Sequence, residues 1–127
     1  MDKIPDGEVR YGFSDASDNV GVAEMMACGA QVILFSTGRG SVVGSAIAPV
    51  IKICANPTTF RNLSEDMDVD AGRVLEGRGT VADVASEICR QIEQTAAGHL
   101  PKSEALGHQE FLQTYKEFES RTIAAAD

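Results

Sequence analysis

No stretch of this 127-residue sequence approaches the ~20 consecutive apolar residues that span a bilayer. The opening Met1-Asp-Lys-Ile-Pro-Asp-Gly7 also lacks the basic flank and apolar run of a secretion signal. A soluble, cytoplasmic chain with no membrane partner is expected. Basic residues are scarce: 11 Lys and Arg stand against 19 Asp and Glu, a formal net charge of -8. A phosphate backbone would be repelled at long range, which argues against nucleic acid as a partner. Cysteine is scarce too. Cys28, Cys54 and Cys89 are an odd number, lie far apart and are each embedded among apolar residues, so they are expected to be buried, reduced core thiols. The compact metal-binding patterns His-x-x-x-His and Cys-x-x-Cys are absent.

What remains is the composition of one globular domain over 1–127, with 43% hydrophobic and 24% charged residues. The opening offers little capping or core material, which fits a domain or fragment of a longer protein. A short strand is expected over Val9–Phe13, with Asp15 at its end, able either to orient a ligand or to stabilise the next helix. That helix, capped by Ser17, Asp18 or Asn19, should reach Cys28 and stop at Gly29. Gln31–Ser36 is a compact apolar run of the kind that forms a strand buried on both faces in a parallel sheet. Val50–Ala55 repeats the pattern, broken only by Lys52, and Asn56-Pro57 should cap a helix to about Leu63.

Ser64–Asp70 reads as an acidic loop. Asp66, Asp68 and Asp70 alternate as in a calcium loop, but Ala71 and Gly77 occupy the positions that need Gly and Glu, so an EF-hand is excluded. A solvated turn is the favoured reading, with a minor carboxylate contribution to a divalent ion as the other. Thr80–Ala97 shows helical spacing of Val81, Val84, Ala85, Ile88, Cys89, Ile92 and Ala96, with Thr80 as cap and Gly98 as stop. Residues 101–127 are expected as an extended or helical tail whose Phe111, Leu112, Tyr115 and Phe118 mark an amphipathic helix. The predicted fold is α/β, a single Rossmann-like domain with a short, mainly parallel sheet, flanking helices and that C-terminal tail.

The chemistry concentrates in Ser36-Thr-Gly-Arg-Gly-Ser-Val-Val-Gly-Ser45, at the carboxyl end of a predicted strand, where ligands bind in open α/β sheets. Gly38, Gly40 and Gly44 allow positive φ and close backbone approach. Thr37, Ser41 and Ser45 add hydroxyls, and Arg39 a fork for a carboxylate. The loop suits a small anion, but matches neither the P-loop nor the dinucleotide pattern. Its glycines would equally serve a tight connection between strands. Lys52 either points to water or faces a cleft, where it would bind a carboxylate or, with a lowered pKa, act as a base. His108, near Glu104 and Glu110, is either structural or a catalytic or metal-binding imidazole.

Four stretches, in this order, resemble the C-terminal domain of the altronate and galactarate dehydratases, a family of sugar-acid hydro-lyases. They are Ala27-Cys-Gly-Ala-Gln-Val-Ile-Leu-Phe-Ser-Thr-Gly-Arg-Gly40, Ile47-Ala-Pro-Val-Ile-Lys-Ile-Cys-Ala-Asn56, Asp68-Val-Asp-Ala-Gly72 and Lys102-Ser-Glu-Ala-Leu-Gly-His-Gln-Glu-Phe111. Ser36 and Asp70 depart mildly from the family, which often has Thr and Asn there. The resemblance implies loss of water from a 2,3-dihydroxy acid to give a 2-keto-3-deoxy acid, aided by a divalent metal, typically Fe2+, whose ligands lie largely outside this chain. It implies that Thr37, Gly38, Arg39, Gly40 and Ser41 bind a small anionic sugar acid with Asn56. Lys52, His108 and Glu104 are the catalytic candidates. It also implies a missing N-terminal domain or partner subunit; the aromatic residues of the tail helix suggest a docking surface, so an oligomer or contact with the missing segments is expected. A related sulfolactate-type lyase subunit and a noncatalytic anion-binding or assembly module are the alternatives.

Overall fold

The computed structural model describes Ser17–Glu110; the expected strand at Val9–Phe13, Asp15 and the tail helix around Phe111–Phe118 lie outside the described residues. Helix α1 (Asp18–Ala27) starts after Ser17, whose side chain makes no capping bond, and ends at Cys28 before Gly29 at φ 99°. Three strands follow: β1 (Ile33–Thr37), β2 (Val50–Cys54) and β3 (Val69–Asp70). They form one parallel sheet in the order β1-β2-β3, with Ile33 opposite Val50 and Thr37 opposite Cys54, then Ile53 opposite Val69. The chain is thus an α/β domain with a short parallel sheet.

The strand order corrects one expectation. Among the described residues the first apolar run is an edge strand, with Leu34 45% exposed and Ser36 exposed. The strand enclosed on both faces is β2, all five of whose residues are buried, Lys52 included. Alternation along β2 divides the core in two. Val50 packs with Val22 of α1, Ile33 and Val43, whereas Ile51 and Ile53 pack on the other face with Val69 and Val84. Lys52, two residues after Val50, therefore points to the face occupied by α1 and the glycine loop.

Helix α2 (Pro57–Asn62) is set by Asn56, whose side-chain oxygen accepts hydrogen bonds from the Thr58 and Thr59 N–H groups, with Pro at the first helical position. Helix α3 (Val81–Ala96) begins in a capping box in which Thr80 accepts from the Asp83 N–H and the Asp83 carboxylate accepts from the Thr80 N–H. Its buried stripe is narrower than the sequence spacing predicts. Val84, Ile88 and Ile92 face the sheet, while Val81 is 72% exposed and Ala85 and Cys89 are exposed. Among the described residues the three-stranded sheet covers only that stripe. Of the three cysteines expected in the core, only Cys54 is buried; Cys28 is half-buried and Cys89 exposed.

The acidic stretch is not a solvated turn. Met67 and Val69 are fully buried and β3 begins within it. A 3-10 turn over Gly72–Val74 and then α3 follow. The segment after α3 returns to the sheet: Pro101 is buried, helix α4 (Lys102–Ala105) lies against β2, and the buried Ser103 hydroxyl donates to the Val50 carbonyl at 2.7 Å. Residues 101 to 110 are thereby part of the packed domain.

Candidate functional site

Lys52 has no exposed surface, and its ammonium ends in a polar cluster assembled from three distant parts of the chain. Nζ donates to the Ser41 carbonyl at 3.1 Å and lies 3.2 Å from His108 Nδ1, 56 positions away in sequence. Burial pulls the Lys52 pKa below its ordinary value of 10.5, and the negative charges of Asp66, Asp68 and Glu110 oppose that shift. The other imidazole nitrogen, Nε2, is 3.9 Å from an Asp66 carboxylate oxygen. One Glu110 oxygen, Oε2, is buried without a hydrogen-bond partner among the described residues.

Local structure puts His108 there. Helix α4 ends at Leu106, Gly107 turns the chain at φ 73°, and the His108 N–H closes on the Ser103 carbonyl at 2.9 Å. The His108 backbone then rests directly on Gly44: a Cβ at that position would fall 2.4 Å from the His108 carbonyl oxygen. Gly44 is therefore required for close approach. Of the three glycines expected to take positive φ, Gly40 alone does, at 87°; Gly38 has open space around its Cβ position.

The glycine loop connects β1 to β2 across residues 38 to 49 without a helix, and it uses most of its hydroxyls to hold its own shape. Thr37 Oγ1 accepts from the Gly40 N–H at 3.1 Å. Ser41 Oγ accepts from the Val43 N–H and donates to Asp18 of α1, and Ser45 Oγ accepts from the Ile47 N–H at 3.1 Å. Thr59 of α2 donates to the Gly38 carbonyl at 2.9 Å. What the loop presents outward is Arg39. With Gly40, Ser41, Val42, Leu63, Asp66 and Met67 it lines an open depression of about 380 Å³. Since Asp66 also faces the imidazole, this depression adjoins the lysine–histidine pair.

Among the sequence-predicted residues, Lys52 and His108 come together, and Arg39, Gly40 and Ser41 line the neighbouring depression. Thr37 and Asn56 are engaged in turn and cap bonds instead. Glu104 is not joined to the cluster by any hydrogen bond or ion pair among the described residues; its N–H closes the first turn of α4 on Pro101. The carboxylates whose charge reaches Lys52 are Asp66, Asp68 and Glu110.

The three alternating aspartates have divided tasks. Asp66 faces His108, Asp68 accepts two backbone N–H groups, and Asp70 accepts from the Arg73 N–H and pairs with Arg78 at 2.9 Å. Among the described residues no three His, Cys, Asp or Glu side chains gather as a metal-binding group. These residues therefore do not by themselves form a site for the divalent ion that the family resemblance implies. Nor, among them, is any helix long and apolar enough to cross a membrane.

The chain is similar to parts of longer proteins. The chain is 41% identical over 106 residues to the (2R)-sulfolactate sulfo-lyase subunit beta of Chromohalobacter salexigens, covering 80% of this chain and 27% of that protein. It is 32% identical over 88 residues to the galactarate dehydratase (L-threo-forming) of Escherichia coli K12, covering 69% of this chain and 17% of the relative. Its identity to the altronate dehydratase of the same organism is 32% over 62 residues, 49% of this chain and 12% of that one. The chain thus spans about a quarter or less of the length of these curated relatives. The family model described as D-galactarate/altronate dehydratase, C-terminal, matches residues 6–118, and the chain belongs to that family.

Proposed function

We propose that this domain contributes the proton-transfer pair and the carboxylate-binding loop of a lyase that eliminates water from a sugar acid of the altronate or galactarate type. The observation that carries the reading is the 3.2 Å contact between a wholly buried lysine and His108 beside the Arg39 depression. A buried ammonium is costly, and burial lowers the Lys52 pKa in the direction that favours the neutral amine.

The pair has two states that differ by one proton, taken up at Nε2 and relayed through Nδ1 to Nζ. With Lys52 neutral, His108 Nδ1–H donates to Nζ and the Nε2 lone pair is a base. With Lys52 charged, Nζ–H donates to Nδ1 and Nε2–H is an acid. In the elimination the C2–H bond of a 2-hydroxy carboxylate breaks, its proton passing to Nε2 while the electron pair forms the C2–C3 double bond. The C3–O bond breaks, and the leaving hydroxide takes up a proton to become water. The enol then tautomerises to the 2-keto-3-deoxy acid. Arg39 stabilises the negative charge that grows on the substrate carboxylate. A ferrous or other divalent ion, if supplied by segments beyond the described residues, would polarise the same carboxylate or the leaving hydroxyl. The remaining length of the relatives supports a requirement for a further domain or subunit. Three free thiols fit a reducing cytoplasm.

A second reading is favoured by the higher identity to the sulfolactate sulfo-lyase subunit. The first steps are the same, but the C3–S bond breaks and sulfite leaves with the electron pair, giving a 2-keto acid. One paired assay separates these. The chain is tested alone and with the rest of its full-length enzyme or its partner subunit, with ferrous iron, on aldonates, aldarates and sulfolactate, and both keto acid and sulfite are followed. Turnover in the combined sample that falls by about 100-fold or more in His108→Asn supports the pair's role. Arg39→Ala should weaken acid binding by about 10- to 100-fold. Acid binding without turnover in the complete assembly would instead favour a noncatalytic anion-binding module.

A further inference from the structure

We infer that Asp68 is the positioning residue of this site, its carboxylate joining the backbone of Lys52 to the backbone of Lys102 and so fixing where His108 stands against the lysine. The inference rests on the proton-transfer reading only for its consequence in turnover.

The β2–β3 ladder begins at Ile53 opposite Val69, one position past Lys52, so the Lys52 N–H needs an acceptor that the ladder does not supply. Asp68 provides it. Its Oδ2 accepts from the Lys52 N–H at 2.7 Å, and its own N–H donates to the Lys52 carbonyl at 2.9 Å. The second carboxylate oxygen, Oδ1, accepts from the Lys102 N–H at 2.9 Å, at the first residue of α4, where a helix leaves its N–H groups without internal partners. Helix α4 and the Gly107 turn then bring His108 Nδ1 back to Lys52 Nζ. The bonds close a ring: Lys52 backbone, Asp68, Lys102, α4, His108, Lys52 side chain.

A carboxylate is needed because both of its oxygens accept. An asparagine offers one oxygen, and its amide nitrogen would confront one of the two N–H donors. The Ser103 hydroxyl still fastens α4 to Val50 when Asp68 is changed, so α4 stays attached but gains freedom to pivot about that contact. The imidazole at the far end of the segment moves most. Asp66 and Glu110 also face the lysine, and neither ties Lys52's backbone to α4.

The test uses the 127-residue chain labelled with 15N at histidine and lysine, compared as Asp68→Asn, Asp68→Glu and Asp70→Asn. The native His108 Nδ1 resonance should carry the shift of a nitrogen hydrogen-bonded to Lys52. In Asp68→Asn this signature should be lost in a chain that remains folded. Asp68→Glu, which keeps both acceptors, should retain part of it and serves if Asp68→Asn does not fold. Asp70→Asn removes the Arg78 partner elsewhere on β3 and should lower the unfolding midpoint without moving the His108 resonance. In the assembled enzyme, Asp68→Asn should reduce kcat by about 10- to 100-fold with KM little changed. An unchanged His108 signature in a folded Asp68 variant overturns the positioning role. A lost signature with undiminished turnover upholds the positioning role and refutes the proton-transfer reading instead.

Discussion

Replacing Gly44 by alanine tests whether the glycine loop and the histidine segment are one packed unit. The added Cβ would lie 2.4 Å from the His108 carbonyl oxygen and 2.6 Å from the His108 Cβ, where 3.0 Å is the floor for real contacts. Relief requires a movement of at least 3.0 − 2.4 = 0.6 Å, and the nearest obstacle is backbone, which cannot rotate aside. If the His108 segment carries that movement away from Lys52, the 3.2 Å contact opens to about 3.8 Å, beyond hydrogen-bonding range. Overpacking of this kind costs about 1–3 kcal/mol, and leaving the lysine without its imidazole costs about 1–3 kcal/mol more. Gly44→Ala should therefore be destabilised by about 2–6 kcal/mol in urea unfolding, with the His108 ring signals displaced. An unfolding midpoint and ring signals equal to those of the unaltered chain would refute the packing described for these segments.

Two further outcomes follow from local bonds. Thr80→Ala removes the capping box of α3 and should lower stability by about 1 kcal/mol, read as a reduced midpoint with an unchanged denaturant slope. For Lys52, the folded-state pKa lies below 10.5 because burial disfavours the ammonium. The unfolded chain thus binds more protons between the two values, and stability should rise with pH through that window, reach its full contribution above 10.5, and be lost as pH falls through the lowered value. Lys52→Met should flatten this segment of the stability–pH curve; an identical slope in both proteins would show that the lysine is not desolvated.

Helix α3 was legible in the sequence because everything that defines it is local: Thr80 and Asp83 three residues apart, an apolar repeat, and Gly98 as stop. Helix α2 was legible for the same reason, through Asn56 and Pro57. The burial of the strands was not. Which of two similar apolar runs lies at the centre depends on where β3 pairs, and β3 is two residues long inside an acidic stretch. The site divides along the same line. Lys52 and His108 stand out as residue types in unusual settings, whereas Asp68 is indistinguishable in sequence from Asp66 and Asp70 until register sets it beside the Lys52 backbone. Glu104 lies four residues from His108 along the chain, but Asp66, Asp68 and Glu110 are the carboxylates whose charges act on the lysine.

The helix-free passage from Thr37 to Val50 has a mechanical consequence. Parallel neighbours need a connection of about a dozen residues, and this one spans residues 38 to 49 while also supplying the carbonyl that holds Lys52 and the surface that receives His108. A tether with so little slack cannot swing over an incoming molecule as a flap does. In the proposed function this wall of the Arg39 depression would serve as a fixed anvil instead of a moving jaw.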